Sequence, residues 1–150
     1  MNKYQVLLVD DNPVVRQIVR EILEKESAIR ICGEAEDGME ALDRAKALQP
    51  DIVILDQSMP RMSGLEAAPR IRDLLPDACL ILFTLYGNRE IERAAKQAGI
   101  DAVISKADRG DRPCEGSQIL FRIRPQLIVR AAKYPFCSSV LFPFESLCSM

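Results

Sequence analysis

The 150-residue sequence has no histidine and no tryptophan, and only 5% of its residues are aromatic. Without histidine there is no Ser-His-Asp triad, no Cys-His pair, no histidine general base and no histidine metal ligand. The chain also cannot carry a phosphohistidine of its own. Its chemistry must run on carboxylates, hydroxyls, lysine, cysteine or a bound ion. The five cysteines (Cys32, Cys79, Cys114, Cys137 and Cys148) are odd in number, widely spaced and form no C-x-x-C pair. Neither a zinc site nor a disulfide framework fits that spacing. A net charge of −2 offers no broad electrostatic footprint for nucleic acid, so direct DNA binding is not expected. Neither a P-loop nor a G-x-G-x-x-G motif is present, which disfavours nucleotide enzymes. No run approaches the roughly 18 apolar residues of a membrane span. Residues Met1 to Tyr4 are too short and polar to begin a signal peptide, and Asp10 and Asp11 interrupt the apolar run behind them. The expectation is a cytoplasmic chain with no membrane contact.

What is present is an alternation. Val6-Leu7-Leu8-Val9, Ile52-Val53-Ile54-Leu55, Leu80-Ile81-Leu82-Phe83 and Ala102-Val103-Ile104 are apolar runs too short for buried helices. Unbroken apolarity fits strands covered on both faces, as in a parallel sheet. A weaker run, Ile29 to Ala35, alternates with polar residues and suits an edge strand. Helical spacing fills the gaps. Pro13 to Glu24 places Val15, Ile18, Val19, Ile22 and Leu23 on one stripe. Asp37 to Leu48 carries Met39, Leu42, Ala45 and Leu48 behind an Asp-Gly cap. Gly64 to Leu75 carries Leu65, Ala68, Ile71, Leu74 and Leu75, with Pro69 expected to kink it or delay its start. Asn88 to Ala98 carries Ile91, Ala94, Ala95 and Ala98, with Gly99 as its C-terminal stop. Strands alternating with helices predict an α/β fold: a doubly wound, five-stranded parallel sheet with right-handed crossovers.

Polar residues sit just past the strands: Asp10 and Asp11 after the first, Asp56 after the third, Thr84 at the end of the fourth, and Ser105-Lys106 after the fifth. Open α/β sheets bind ligands at the carboxyl ends of their strands, at the topological switch point. With strand order 2-1-3-4-5, Asp10, Asp11 and Asp56 face one another there. Three carboxylates together call for a cation, and oxygen-only ligands favour Mg²⁺ over zinc. Lys106 adds a charge suited to phosphate and Thr84 a hydroxyl donor. Taken singly, the Asp pair can be a helix cap, Asp56 a turn residue and Lys106 a solvated charge. Those readings do not predict convergence on one sheet edge. A carboxylate nucleophile, a metal, a hydroxyl and an ammonium together can stabilise a transferring phosphoryl group.

With these pieces in this order over positions 6 to 106, the chain resembles the response-regulator receiver domain of two-component signalling. The matching segments are Val6-Leu-Leu-Val-Asp10-Asp11, Asp56-Gln-Ser-Met-Pro60 followed by Gly64, Leu82-Phe-Thr84 and Ser105-Lys106. The resemblance implies a flavodoxin-like receiver fold in which Asp56 is the phosphoacceptor. It implies that Asp10, Asp11 and Asp56, with the backbone carbonyl of Ser58, hold Mg²⁺, and that Thr84 and Lys106 bind the phosphoryl oxygens. The donor would be a phosphohistidine on a sensor histidine kinase or phosphotransfer protein. A downstream protein would read the face of the fourth helix and fifth strand. The chain would be no turnover enzyme beyond its own phosphorylation and dephosphorylation. An aspartyl-phosphate phosphatase would want a D-x-D motif where this chain has Asp10-Asp11-Asn12.

The sequence departs from the family at Ala107, where a cis proline is common, and at Val103, where many members carry a switch aromatic. Gln57 replaces an aliphatic residue, Leu85 a small one, and Tyr86 is bulky enough to slow loss of phosphate. Composition changes after Lys106. Residues 107–150 hold four of the five Phe and three of the five Cys, and net charge passes from −4 before the change to +2 after it. The domain reading is a receiver over 1–133, with a fifth helix at about 117–133, and an irregular tail over 134–150. No helix-turn-helix DNA-binding domain is expected. An altered reading frame would account for the tail. The competing functions are a phospho-independent protein-binding module and the remnant of a transcriptional regulator.

Overall fold

The computed structural model describes residues 3–85 and 87–106. Nine elements alternate along them: β1 (Tyr4–Val9), α1 (Pro13–Leu23), β2 (Ile29–Ala35), α2 (Gly38–Leu48), β3 (Ile52–Leu55), α3 (Gly64–Leu74), β4 (Cys79–Thr84), α4 (Arg89–Gln97) and β5 (Ala102–Ser105). The strands form one five-stranded sheet in the order β2-β1-β3-β4-β5. Every pairing is parallel. The alternating Ile29–Ala35 segment lies at an edge, as its pattern predicts. The fifth helix expected near 117–133 and the 134–150 tail lie outside the described residues.

The unbroken apolar runs have a direct cause. Leu7, Val9, Val53, Leu55, Leu80 and Leu82 pack with α2, α3 and α4 on one face. Their neighbours Val6, Leu8, Ile52, Ile54, Ile81 and Phe83 pack with α1 on the other. Successive residues of a strand point to opposite faces, so a strand buried on both has no solvent position for a polar side chain.

Helices α2 and α3 bury smaller residues than their apolar stripes predict. On α2 the buried positions are Gly38, Ala41 and Ala45, while Met39 and Leu48 are exposed. On α3 they are Gly64, Ala67, Ala68 and Ile71, and Leu74 is exposed. On α1 Ile18 is exposed and Arg16 takes a buried place. Small residues let a helix lie close to the sheet, so the large side chains on the stripe's margin fall outside the contact. Pro69 does not delay α3. A capping box fixes the start at Gly64: the Glu66 amide donates to Ser63 Oγ at 3.3 Å, and the Ser63 amide donates to Glu66 Oε2 at 2.8 Å. Gly99 adopts φ +84° just past the α4 cap residue Ala98, a conformation that favours glycine.

Candidate functional site

Each site residue sits where a strand hands over to a loop. Asp10 leaves β1 with its amide on the Ala35 carbonyl at 3.1 Å. Asp56 leaves β3 with its amide on the Val9 carbonyl at 2.8 Å. Because Val9 pairs with Leu55, the two aspartates emerge side by side. Thr84 ends β4 opposite Ser105, and the Lys106 amide donates to the Thr84 carbonyl at 2.7 Å. The parallel order thus brings to one edge residues separated by nearly the whole described chain.

Asp10, Asp11 and Asp56 lie with a carboxylate oxygen of each within 4.8 Å of the others. Asp10 and Asp56 are buried, and Asp11 is exposed. The Lys106 ammonium reaches between the buried pair, 2.5 Å from Asp10 Oδ2 and 3.1 Å from Asp56 Oδ1. Its nitrogen stands 5.3 Å from the centroid of the Phe83 ring, an added cation–π attraction. Burial pushes the Asp56 carboxyl above the usual range. Lys106 pulls it down, the Asp10 charge pushes it up, and the net direction is upward. Thr84 is buried at the same edge. Ser58 is exposed, two residues past Asp56.

The donor set suits a hard cation. It is all oxygen, and ionised it sets three carboxylates against one ammonium, a charge that a divalent ion balances.

Loop geometry supports these positions. Asp10 Oδ1 accepts the Asn12 amide at 2.9 Å, and Asn12 caps α1 by accepting the Val14 amide at 3.0 Å. Asp10 therefore belongs both to the acidic cluster and to the lead-in to a helix cap. Gly64 is required by close approach. A Cβ there would stand 2.2 Å from the Asp56 carbonyl oxygen.

Two residues were not legible as site residues. Arg16 is buried in α1, donating to the Asp10 carbonyl at 2.6 Å and to Glu34 Oε2 at 3.0 Å. Its signal is a cation on an apolar helix face with Glu34 and Glu36 at the end of the next strand. The other is Arg61, whose ion pair with the cap residue Asp37 crosses between two loops. Tyr86 and Ala107 lie outside the described residues. Val103 is half-buried in β5, so no aromatic stands at that position.

Comparison with known proteins follows the same geometry. The sequence pattern of the response regulator receiver domain matches residues 6–112. The chain belongs to the response regulator receiver family. The chemotaxis protein CheY of Halobacterium salinarum is 42% identical over 102 residues, covering 68% of this chain and 83% of that protein. A protein-glutamate methylesterase/protein-glutamine glutaminase of Syntrophus aciditrophicus is 35% identical over 131 residues, 86% of this chain. This receiver spans only 35% of that relative's length. Among solved structures, the response regulator domain of Thermotoga maritima CheB superposes with a TM-score of 0.76 at 25% identity, covering 87% of this chain and 98% of that one. A LuxR-family response regulator from Aurantimonas sp. SI85-9A1 gives 0.77 at 27% identity, covering 86% and 88%. Among the described residues no helix is long and apolar enough to cross a membrane.

Proposed function

We infer that this receiver is a phosphorylation switch, with Asp56 accepting a phosphoryl group from a phosphohistidine of a sensor histidine kinase or phosphotransfer protein. The observation that carries the reading is the meeting of Asp10, Asp11 and Asp56 within 4.8 Å, with the Lys106 ammonium between the two buried ones. A carboxylate oxygen of Asp56 forms the new P–O bond as the donor's P–N bond breaks, and the imidazole nitrogen keeps the electron pair. Asp10, Asp11, Asp56 and the Ser58 carbonyl would hold Mg²⁺, which when bound neutralises charge on the phosphoryl oxygens. Lys106 pairs with one phosphoryl oxygen and the Thr84 hydroxyl donates to another.

The product carries about −1.5 to −2 of phosphate charge where one carboxylate stood. Thr84 and Lys106 follow that charge and bias the face of α4 and β5, which a downstream protein reads. Val103 leaves that response without an aromatic rotamer change in β5. The receiver catalyses only its own phosphorylation and dephosphorylation, and acts in the cytoplasm through protein contacts.

The test is incubation with a small phosphodonor and Mg²⁺, read by intact mass on the wild type and Asp56→Asn. A single phosphoryl adduct on the wild type, absent from the variant, is expected. Labelling that persists in the variant refutes Asp56 as acceptor. No adduct on either favours the phospho-independent binding module.

A further inference from the structure

The loop after Asp56 is fastened to a different part of the fold, the N-terminus of α2. Asp37 is fully enclosed. Its Oδ1 accepts the amides of Met39 at 2.8 Å and Glu40 at 2.9 Å, capping α2. Its other oxygen pairs with the Arg61 guanidinium. One residue on, the Gly38 amide donates to the Met62 carbonyl at 3.1 Å. A Cβ on Gly38 would stand 2.7 Å from Met62 Cγ, so the two segments touch with no room between them.

Arg61 itself holds φ +63°, in the left-handed region that a residue with a long side chain rarely occupies. Such a conformation persists where surrounding contacts over-determine it. Here those contacts are the Asp37 ion pair on one side and the Met62 amide, bonded to the Pro60 carbonyl at 2.7 Å, on the other. A cap alone uses one carboxylate oxygen. Asp37 spends the second on Arg61, three residues beyond Ser58.

We propose that Asp37 is a positioning residue for the acidic site: through Arg61 it sets the path of residues 57–63, and so the place of the Ser58 carbonyl relative to Asp10, Asp11 and Asp56. The proposal rests on the metal-binding reading given above. It adds to the proposed parts of the site a residue that touches none of the reacting atoms. Partners that hold metal donors in place commonly change affinity by about 10-fold or more when removed.

The experiment separates a cap from a positioning role. Asp37→Asn keeps an N-cap side chain and loses the charge that holds Arg61. Arg61→Gln removes the same pair from the other side. Mg²⁺ affinity is measured by calorimetric titration of the full chain. Amide hydrogen exchange follows residues 57–62, and thermal midpoints are recorded throughout. Asn88→Ala is the control, removing a helix cap on α4 that accepts the Ile91 amide at 2.8 Å, away from this loop.

Expected are a loss of Mg²⁺ affinity of about 10-fold in each single variant, no further loss in the double variant, and faster exchange at 57–62 with Met39 and Glu40 still protected. Asn88→Ala should lower the thermal midpoint and leave Mg²⁺ affinity unchanged. Variants that lose stability yet bind Mg²⁺ as the wild type does overturn the positioning role and leave the proposed function standing. A wild type that binds no Mg²⁺ overturns the metal-binding reading and this inference with it.

Discussion

The ammonium of Lys106 stands 2.5 Å from Asp10 Oδ2, joining residues 96 positions apart in sequence. It also reaches Asp56, so one cation offsets two buried carboxylates. Removing one member of a buried ion pair leaves uncompensated charge and costs about 3 kcal/mol. Lys106→Met should therefore lower the urea midpoint at neutral pH in the absence of metal. Mg²⁺ should raise the midpoint of the variant more than that of the wild type, because the variant's carboxylates have no other cation. Equal shifts in both would show that Lys106 does not offset the pair.

Asp56→Asn should behave in the opposite way. Burial raises the pKa of Asp56 in the folded chain, and Lys106 only partly offsets this. For an acid raised on folding, the ionised form costs stability. That cost is absent below the unfolded value of about 3.9 and complete above the folded value. The metal-free Asp56→Asn variant should be at least as stable as the wild type at neutral pH, and its advantage should shrink as pH falls toward about 4. Urea unfolding across that range measures it. The same variant should take up no phosphoryl group, so a loss of labelling is not a loss of fold.

Asp37 has the reverse sign. The Glu40 amide holds its carboxyl below the usual range, and the Arg61 charge and Met39 amide add to this against the effect of burial. An acid lowered on folding stabilises the fold above its unfolded pKa, and that stability is lost as pH falls through the folded value. The stability difference between wild type and Asp37→Ala should therefore be constant from neutral pH down to about 5, then narrow below about 4. At neutral pH loss of the cap should cost about 1–2 kcal/mol. A difference that does not change with pH would separate the cap from the charge.

The strand order and the gathering of Asp10, Asp11, Asp56, Thr84 and Lys106 were legible because both follow from short-range signals. Apolar runs mark strands, and the residue just past each run lies at the carboxyl edge whatever the side chains do elsewhere. Helix faces were less legible. A stripe such as Met39, Leu42, Ala45 and Leu48 records hydrophobicity, but burial went to Ala41 and Ala45, because close packing on the sheet selects small residues. Arg16 escaped for a related reason. A buried cation breaks the stripe, and only the tertiary meeting with Glu34 and the Asp10 carbonyl explains it. The pairing of Asp37 with Arg61 is likewise invisible to any local pattern, since they stand 24 positions apart with α2 and β3 between them.

Gly64 supplies a test of how tightly the end of β3 is held. It shows no left-handed backbone, so an added methyl meets only a problem of space. That problem is severe: 2.2 Å to the Asp56 carbonyl oxygen, and 3.1 Å to both the Asp56 carbonyl carbon and Leu82 Cδ1. Two of these three are backbone atoms, which cannot rotate aside as a side chain can. Overpacking typically costs 1–3 kcal/mol, and rigid neighbours put Gly64→Ala at about 3 kcal/mol. Gly87→Ala is the control. There the nearest atom is Ser105 Cβ at 3.7 Å, an ordinary contact, and a change within about 0.5 kcal/mol is expected. Denaturant unfolding compares the two. Whatever fraction of Gly64→Ala remains folded should also take up phosphate more slowly, because relief of the clash must move the Asp56 backbone. A folded Gly64→Ala protein labelled at the wild-type rate would show that the end of β3 tolerates displacement without loss of the site.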